Sequence, residues 1–147
     1  MLEHTFTQSS DIWSIVLPGL VGSETPDPMK LIGAIRNGLP GAALGKVAEV
    51  YQMPKTEMYG ILHISPKTGQ RVVSKKLDKG ISDHLIQMVK VLCRTYEVFK
   101  SFDKTMRWLK SPCYALGNQV PVQLLDTTEG TELVMNTLGC IEYGVFS

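Results

Sequence analysis

A chain of 147 residues, 44% hydrophobic and 20% charged, has room for one globular unit with a sizeable core or for two very small ones, and excludes a multidomain enzyme. Its net charge of +1 argues at first sight against a nucleic-acid binder, but the sum hides a strongly uneven distribution. Residues 1–29 hold four acids (Glu3, Asp11, Glu24, Asp27) and no Lys or Arg, residues 30–110 hold all fifteen bases against six acids, and residues 111–147 hold four acids (Asp126, Glu129, Glu132, Glu142) and no base. Blocks of −4, +9 and −4 suggest two different kinds of partner.

In chain order, residues 1–26 have no clean period and are punctuated by Ser9, Ser10, Pro18, Gly19, Gly22 and Pro26, which reads as an N-terminal arm. Its Ile12, Trp13, Ile15, Val16 and Leu17 require an apolar surface. Two readings are open: the arm folds back on the chain's own core, or it covers a second copy in a homodimer. The run 12–21 is too short for a bilayer span, is broken by Pro18 and Gly19, and lacks the preceding bases of a signal peptide. No membrane partner is expected. Cys93, Cys113 and Cys140, odd in number and without C-x-x-C spacing, read as reduced, mostly buried thiols of a cytoplasmic protein.

From Asp27 the helix signals become regular. Asp27-Pro28 caps a helix with Leu31, Ile32 and Ile35 on one face, ended by Gly38 and Pro40. Residues 41–50 form a second helix, Met53-Pro54 opens a third short one, and Ser65-Pro66 starts a fourth that reaches about Lys76. Asp78-Lys79-Gly80 reads as a turn. Ser82 then caps a long helix to about residue 101, Asp103 caps a shorter one, and residues 121–125 make a turn or two. Thr127 or Thr128 caps a last helix that Gly139 terminates. With no strand pattern, the fold class is all-α, divided into an arm (1–26), a helix-turn-helix-like unit (27–80), and a long helix with a small helical module (81–147).

Catalysis has little support. His4, His63 and His84 are isolated from other metal-ligand types, no G-x-S-x-G or phosphate loop is present, and no cofactor or metal site is expected. The basic middle says more. Five helices of these lengths match the pattern of repressor domains, in which a third helix enters the major groove. A helix-turn-helix needs a small residue at the crossing and apolar residues at fixed offsets, which Ala48, Tyr51, Met53, Met58 and Ile61 satisfy. Residues 54–63 then read bases, with Lys55, Thr56 and Tyr59 outward. A second register, through Tyr59, Leu62, Ile64, Gly69 and Val72, fits less well but is more basic: Lys67, Arg71, Lys75, Lys76 and Lys79 can follow phosphates. Candidate DNA contacts are therefore Lys55, Thr56, Lys67, Thr68, Arg71 and Lys75. An ordinary solvated helix face remains the alternative.

The acidic end carries the more specific pattern: Trp108-Leu109, Pro112, Leu116-Gly117, Pro121, Leu124-Leu125, Thr127, Gly130, Val134, Leu138 and Ile141-x-x-Gly144. In this order they resemble the toxin-binding domain shared by the Xre, MbcA and ParS antitoxins. Ile64-Ser65-Pro66-Lys67-Thr68 and Arg71 look like an upstream stretch of the same family, with Gly69 in place of its usual apolar residue. The resemblance spans about residues 30–147. It implies a Cro-like domain that dimerises and binds operator DNA, followed by a domain that occludes the active site of a RES-type or ADP-ribosyltransferase-like toxin that consumes NAD. It places toxin contacts at Leu116, Gly117, Glu142, Tyr143, Gly144, Val145, Phe146 and Ser147. The competing expectation is a stand-alone helix-turn-helix regulator whose C-terminal domain only dimerises.

Overall fold

The computed structural model describes residues 8–19 and 26–144. As expected for an all-α chain, no strand occurs among the described residues; two isolated antiparallel bridges, Pro40 with Lys76 and Cys113 with Gln119, are the extended contacts described. The elements are α1 (Ser10–Val16), α2 (Pro28–Asn37), α3 (Ala42–Val50), α4 (Lys55–Leu62), α5 (Pro66–Val72), α6 (Lys79–Phe99), α7 (Phe102–Leu109), 3-10 segments Tyr114–Leu116 and Pro121–Asp126, and α8 (Thr128–Glu142). The central element is α6, which α1, α2, α3, α4, α7 and α8 all contact. Its inward side chains Leu85, Met88, Val89 and Leu92 recur every three or four residues and are buried.

The arm contains a seven-residue helix that sequence periodicity did not reveal. Ile12 (0% exposed), Trp13 (1%) and Val16 enter the chain's own core, where α1 lies on α3 and α6. The Asp27 carboxylate caps α2 by accepting the Met29 and Lys30 amides, and Ser65 caps α5 by accepting that of Thr68, both as the Asx-Pro and Ser-Pro starts imply.

Four boundaries differ from the sequence expectation. Asp78, read as part of a turn, is the N-cap of α6 and accepts the Ile81 amide at 2.8 Å. Ser82, the expected cap, is buried inside that helix, and its hydroxyl accepts from the amide of Leu39, 43 residues away. Ser101 rather than Asp103 caps α7, and Asp103 pairs with Arg107 one turn on. Helix α5 stops at Val72 instead of about Lys76, because the chain leaves it to lie along residues 39–41: the Gly41 amide donates to Lys75 O and that of Leu77 to Leu39 O. A Cβ at Gly41 would sit 1.8 Å from the Val72 carbonyl oxygen, so only glycine permits this approach. Helix α8 runs through Gly139, which has open space beside it, to Glu142, and Gly144 turns the chain out with a φ of +72°.

Candidate functional site

Helices α3 and α4, joined by residues 51–54, bury all five side chains of the first helix-turn-helix register: Ala48, Tyr51, Met53, Met58 and Ile61. The Tyr51 ring is fully buried, and its hydroxyl donates to the Met88 carbonyl of α6; desolvation, with the neighbouring Cys93 thiol second, holds its pKa well above the usual phenol value. Tyr59 is not outward as expected. It is 5% exposed and lies over Gly69, whose missing side chain makes room for the ring: a Cβ there would come within 2.3 Å of Tyr59 Cε1. Gly69, a bare position in the second register, is therefore the complement of the Tyr59 ring that the first register placed outward.

This contact sets α4 against α5. Lys55 and Thr56, in the first turn of α4, are exposed, as are Lys67 and Arg71 on α5 and Lys75 just beyond it; Thr68 is half-buried, its hydroxyl accepting from that of Ser65. Thus five of the six candidate DNA contacts sit on two adjacent helices and the sixth lies in the segment leaving the second. Lys76, by contrast, is engaged with the Asn37 side chain at 3.0 Å.

The C-terminal unit is assembled on α6. Thr127 caps α8 by accepting the Gly130 amide at 2.9 Å, and Gly130 has no room for a side chain because the Leu124 carbonyl oxygen would lie 1.9 Å from its Cβ. Two histidines fasten the preceding 3-10 segment. His63 ends α4 in a left-handed conformation (φ +58°), with Nε2 2.7 Å from Asp126 O; His84 on α6 has Nε2 2.7 Å from Leu125 O. A carbonyl only accepts, so both rings carry their proton on Nε2. Their centroids are 6.4 Å apart, and the pair ties two consecutive carbonyls of the 3-10 segment Pro121–Asp126 to the end of α4 and to α6. Lys110 makes a further tie, donating to Gln52 O at 2.6 Å; burial lowers its pKa, against an opposing effect of Glu57. None of these ties was legible in the sequence, since each partner is a backbone carbonyl 41 to 63 residues away.

The outer surface of this unit is acidic and partly apolar. Glu129, Glu132 and Asn136 are exposed along α8 together with Leu133 (48%), while Tyr114 (90%) and Tyr143 (79%) stand out from the first 3-10 turn and from the end of α8. Of the candidate toxin contacts, Leu116 is buried and holds the turn from inside, and Gly117 is exposed at φ +65°, a conformation that favours glycine. Tyr143 and Gly144 are exposed. Glu142 is bound to Arg94 of α6, whose Nη1 and Nη2 donate to Oε2 at 3.1 Å and Oε1 at 2.7 Å. This hydrogen bonding holds the Glu142 carboxyl below and the Arg94 guanidinium above their usual pKa values. Val145, Phe146 and Ser147 lie outside the described residues.

Residues 94–144 match the family described as the antitoxin Xre/MbcA/ParS C-terminal toxin-binding domain. Along its whole length the chain is similar to an antitoxin Xre of Photorhabdus laumondii subsp. laumondii, 29% identical over 147 residues that cover 98% of this chain and 99% of that protein. An antitoxin Xre of Yersinia enterocolitica serotype O:8 is 25% identical over 120 residues, 80% of this chain and 81% of its own. A Prs ADP-ribosylating antitoxin of Sphingobium sp. is 24% identical over 131 residues, 82% of each chain.

Proposed function

We propose that this chain, an antitoxin of the Xre/MbcA/ParS type, neutralises a RES-type or ADP-ribosyltransferase-like toxin by covering its NAD-binding active site with the C-terminal unit. The observation that carries this reading is the exposed face around α8. An enzyme that binds a dianionic cofactor presents basic groups in its cleft, and residues 111–147 contain no base while Glu129 and Glu132 stand exposed on α8, with Tyr114, Leu133 and Tyr143 as exposed apolar anchors. The name of the Sphingobium relative, an ADP-ribosylating antitoxin, points to the same class of NAD chemistry. The toxin-facing set is Gly117, Tyr143 and Gly144 with Val145, Phe146 and Ser147, held from within by Leu116. The chain performs no chemistry of its own in this scheme and acts in the cytoplasm, where its target works.

The same chain represses its operon as a homodimer, with Lys55 and Thr56 facing base edges and Lys67, Thr68, Arg71 and Lys75 following the phosphates. The exposure of Lys55, Thr56, Lys67 and Arg71 on adjacent helices, and of Lys75 just beyond the second, supports this assignment. Deleting residues 144–147 abolishes neutralisation of the co-expressed toxin and leaves folding and operator binding unchanged; retained neutralisation would remove the C-terminal tail from the toxin contact, and no neutralisation by the unaltered chain would leave a stand-alone regulator as the better account. Arg71→Ala with Lys75→Ala weakens operator binding and lowers its salt slope by about 2.

A further inference from the structure

An acid in the last turn of a helix faces the negative end of the helix dipole and is disfavoured there unless a cation answers it. Glu142 is the last residue of α8, and no base lies in that last turn. The cation comes from α6, 48 residues away: Arg94 reaches across with both guanidinium nitrogens and occupies both carboxylate oxygens of Glu142. The pair is partly open to solvent, with side-chain exposures of 27% and 31%, and such pairs add little to global stability. Its geometric effect is larger. The next two residues are Tyr143, whose amide donates to the Gly139 and Ile141 carbonyls, and Gly144, whose left-handed backbone redirects the chain. The fork therefore fixes the turn from which Tyr143 projects into solvent.

We propose that Arg94 is a positioning residue for the toxin-facing end of α8, and that Glu142 acts by binding Arg94 rather than by touching the toxin. This rests on the antitoxin reading above and adds to it a residue outside the exposed acidic face. A planar, bidentate guanidinium restrains both position and direction, which a lysine ammonium does not. The restraint lowers the ordering cost that the end of α8 would otherwise meet on docking. Glu97, Lys100 and Tyr143 are the other charged or titratable groups that act on the pair.

The test is inhibition of NAD consumption by the toxin of the class proposed above, titrated with the unaltered chain and with Arg94→Glu, Glu142→Arg, Arg94→Lys and the charge-swapped pair. Each reversal alone weakens inhibition roughly fivefold or more, as expected for loss of a restrained ion pair replaced by like charges. The swapped pair recovers to within about twofold of the unaltered chain, Arg94→Lys falls between, and amide exchange at Tyr143 and Gly144 in the free protein follows the same order. A merely structural role would move the melting midpoint and inhibition together, whereas here the midpoints stay close. Inhibition unaffected by the single reversals would remove the role of Arg94 alone. Glu142→Arg impaired and not restored by the swap would mean that Glu142 touches the toxin directly. No inhibition by the unaltered chain would remove the antitoxin reading and this inference with it.

Discussion

Replacing Gly69 by alanine tests the way α4 and α5 fit together. The added Cβ would stand 2.3, 2.4 and 2.8 Å from Cε1, Cζ and Cδ1 of Tyr59, against about 3.5–4.0 Å for carbon atoms in contact, so the ring must move by more than about 1 Å. Tyr59 is buried and has little space in which to move. Overpacking of this kind costs about 1–3 kcal/mol, while alanine gains about 0.5–1 kcal/mol over glycine inside a helix, leaving a net loss of about 1 kcal/mol at mid-range and up to about 2.5 kcal/mol. With a mid-range urea slope of about 2 kcal/mol/M, the midpoint falls by roughly 0.5 M. In a Tyr59→Ala background the obstacle is gone and only the propensity gain remains, so Gly69→Ala becomes neutral to stabilising by up to about 1 kcal/mol. Denaturation curves of the four proteins give both values. The same loss in both backgrounds would refute the complementarity of ring and glycine.

Tyr51→Phe removes the buried hydroxyl that donates to Met88 O and lowers stability by about 0.5–1.5 kcal/mol, measured as a shift in thermal midpoint with the helical circular dichroism unchanged. Cys93 is buried, its pKa is raised first by desolvation and then by Glu97, and its thiol donates weakly to Ser9 O; mass spectrometry after brief alkylation of the native protein finds label at the half-buried Cys113 and Cys140 before Cys93. For the Arg94–Glu142 pair the folded carboxyl is depressed below its usual value by the Arg94 hydrogen bonds, so its small contribution is complete above about pH 4.5 and is lost as pH falls below that value; a double-mutant cycle of melting midpoints finds a small coupling at pH 7 that declines on acidification below about pH 4.5.

The parts of this fold that sequence reasoning reached are those specified by neighbours along the chain. Asp27-Pro28 and Ser65-Pro66 each place a capping side chain next to the amides it serves, so two helix starts follow from spacing alone, and the pair Thr127-Thr128 gives a third to within one residue, with Thr127 the cap. Where two capping types stand close together, the choice is tertiary: Ser82 is withdrawn from capping because the Leu39 amide needs its hydroxyl, and Asp78 takes the role. Helix α1 escaped because seven residues show barely two turns of periodicity, and its burial of Trp13 depends on the packed α3 and α6. The order of apolar residues, glycines and prolines from Trp108 to Gly144 made the C-terminal unit legible as a resemblance. The ties that hold it, His63 and His84 on backbone carbonyls and Arg94 on Glu142, join residues 41 to 63 apart and leave no local mark.

The central claim is that the acidic C-terminal unit silences an NAD-consuming partner, and a titration tests it most directly. A RES-type or ADP-ribosyltransferase-like toxin, the partner class proposed above, is held at fixed concentration with NAD, and the purified chain is added in steps while NAD loss is followed. The account predicts that NAD loss falls linearly to zero at a small fixed molar ratio. NAD loss that continues undiminished in the presence of excess chain would contradict it.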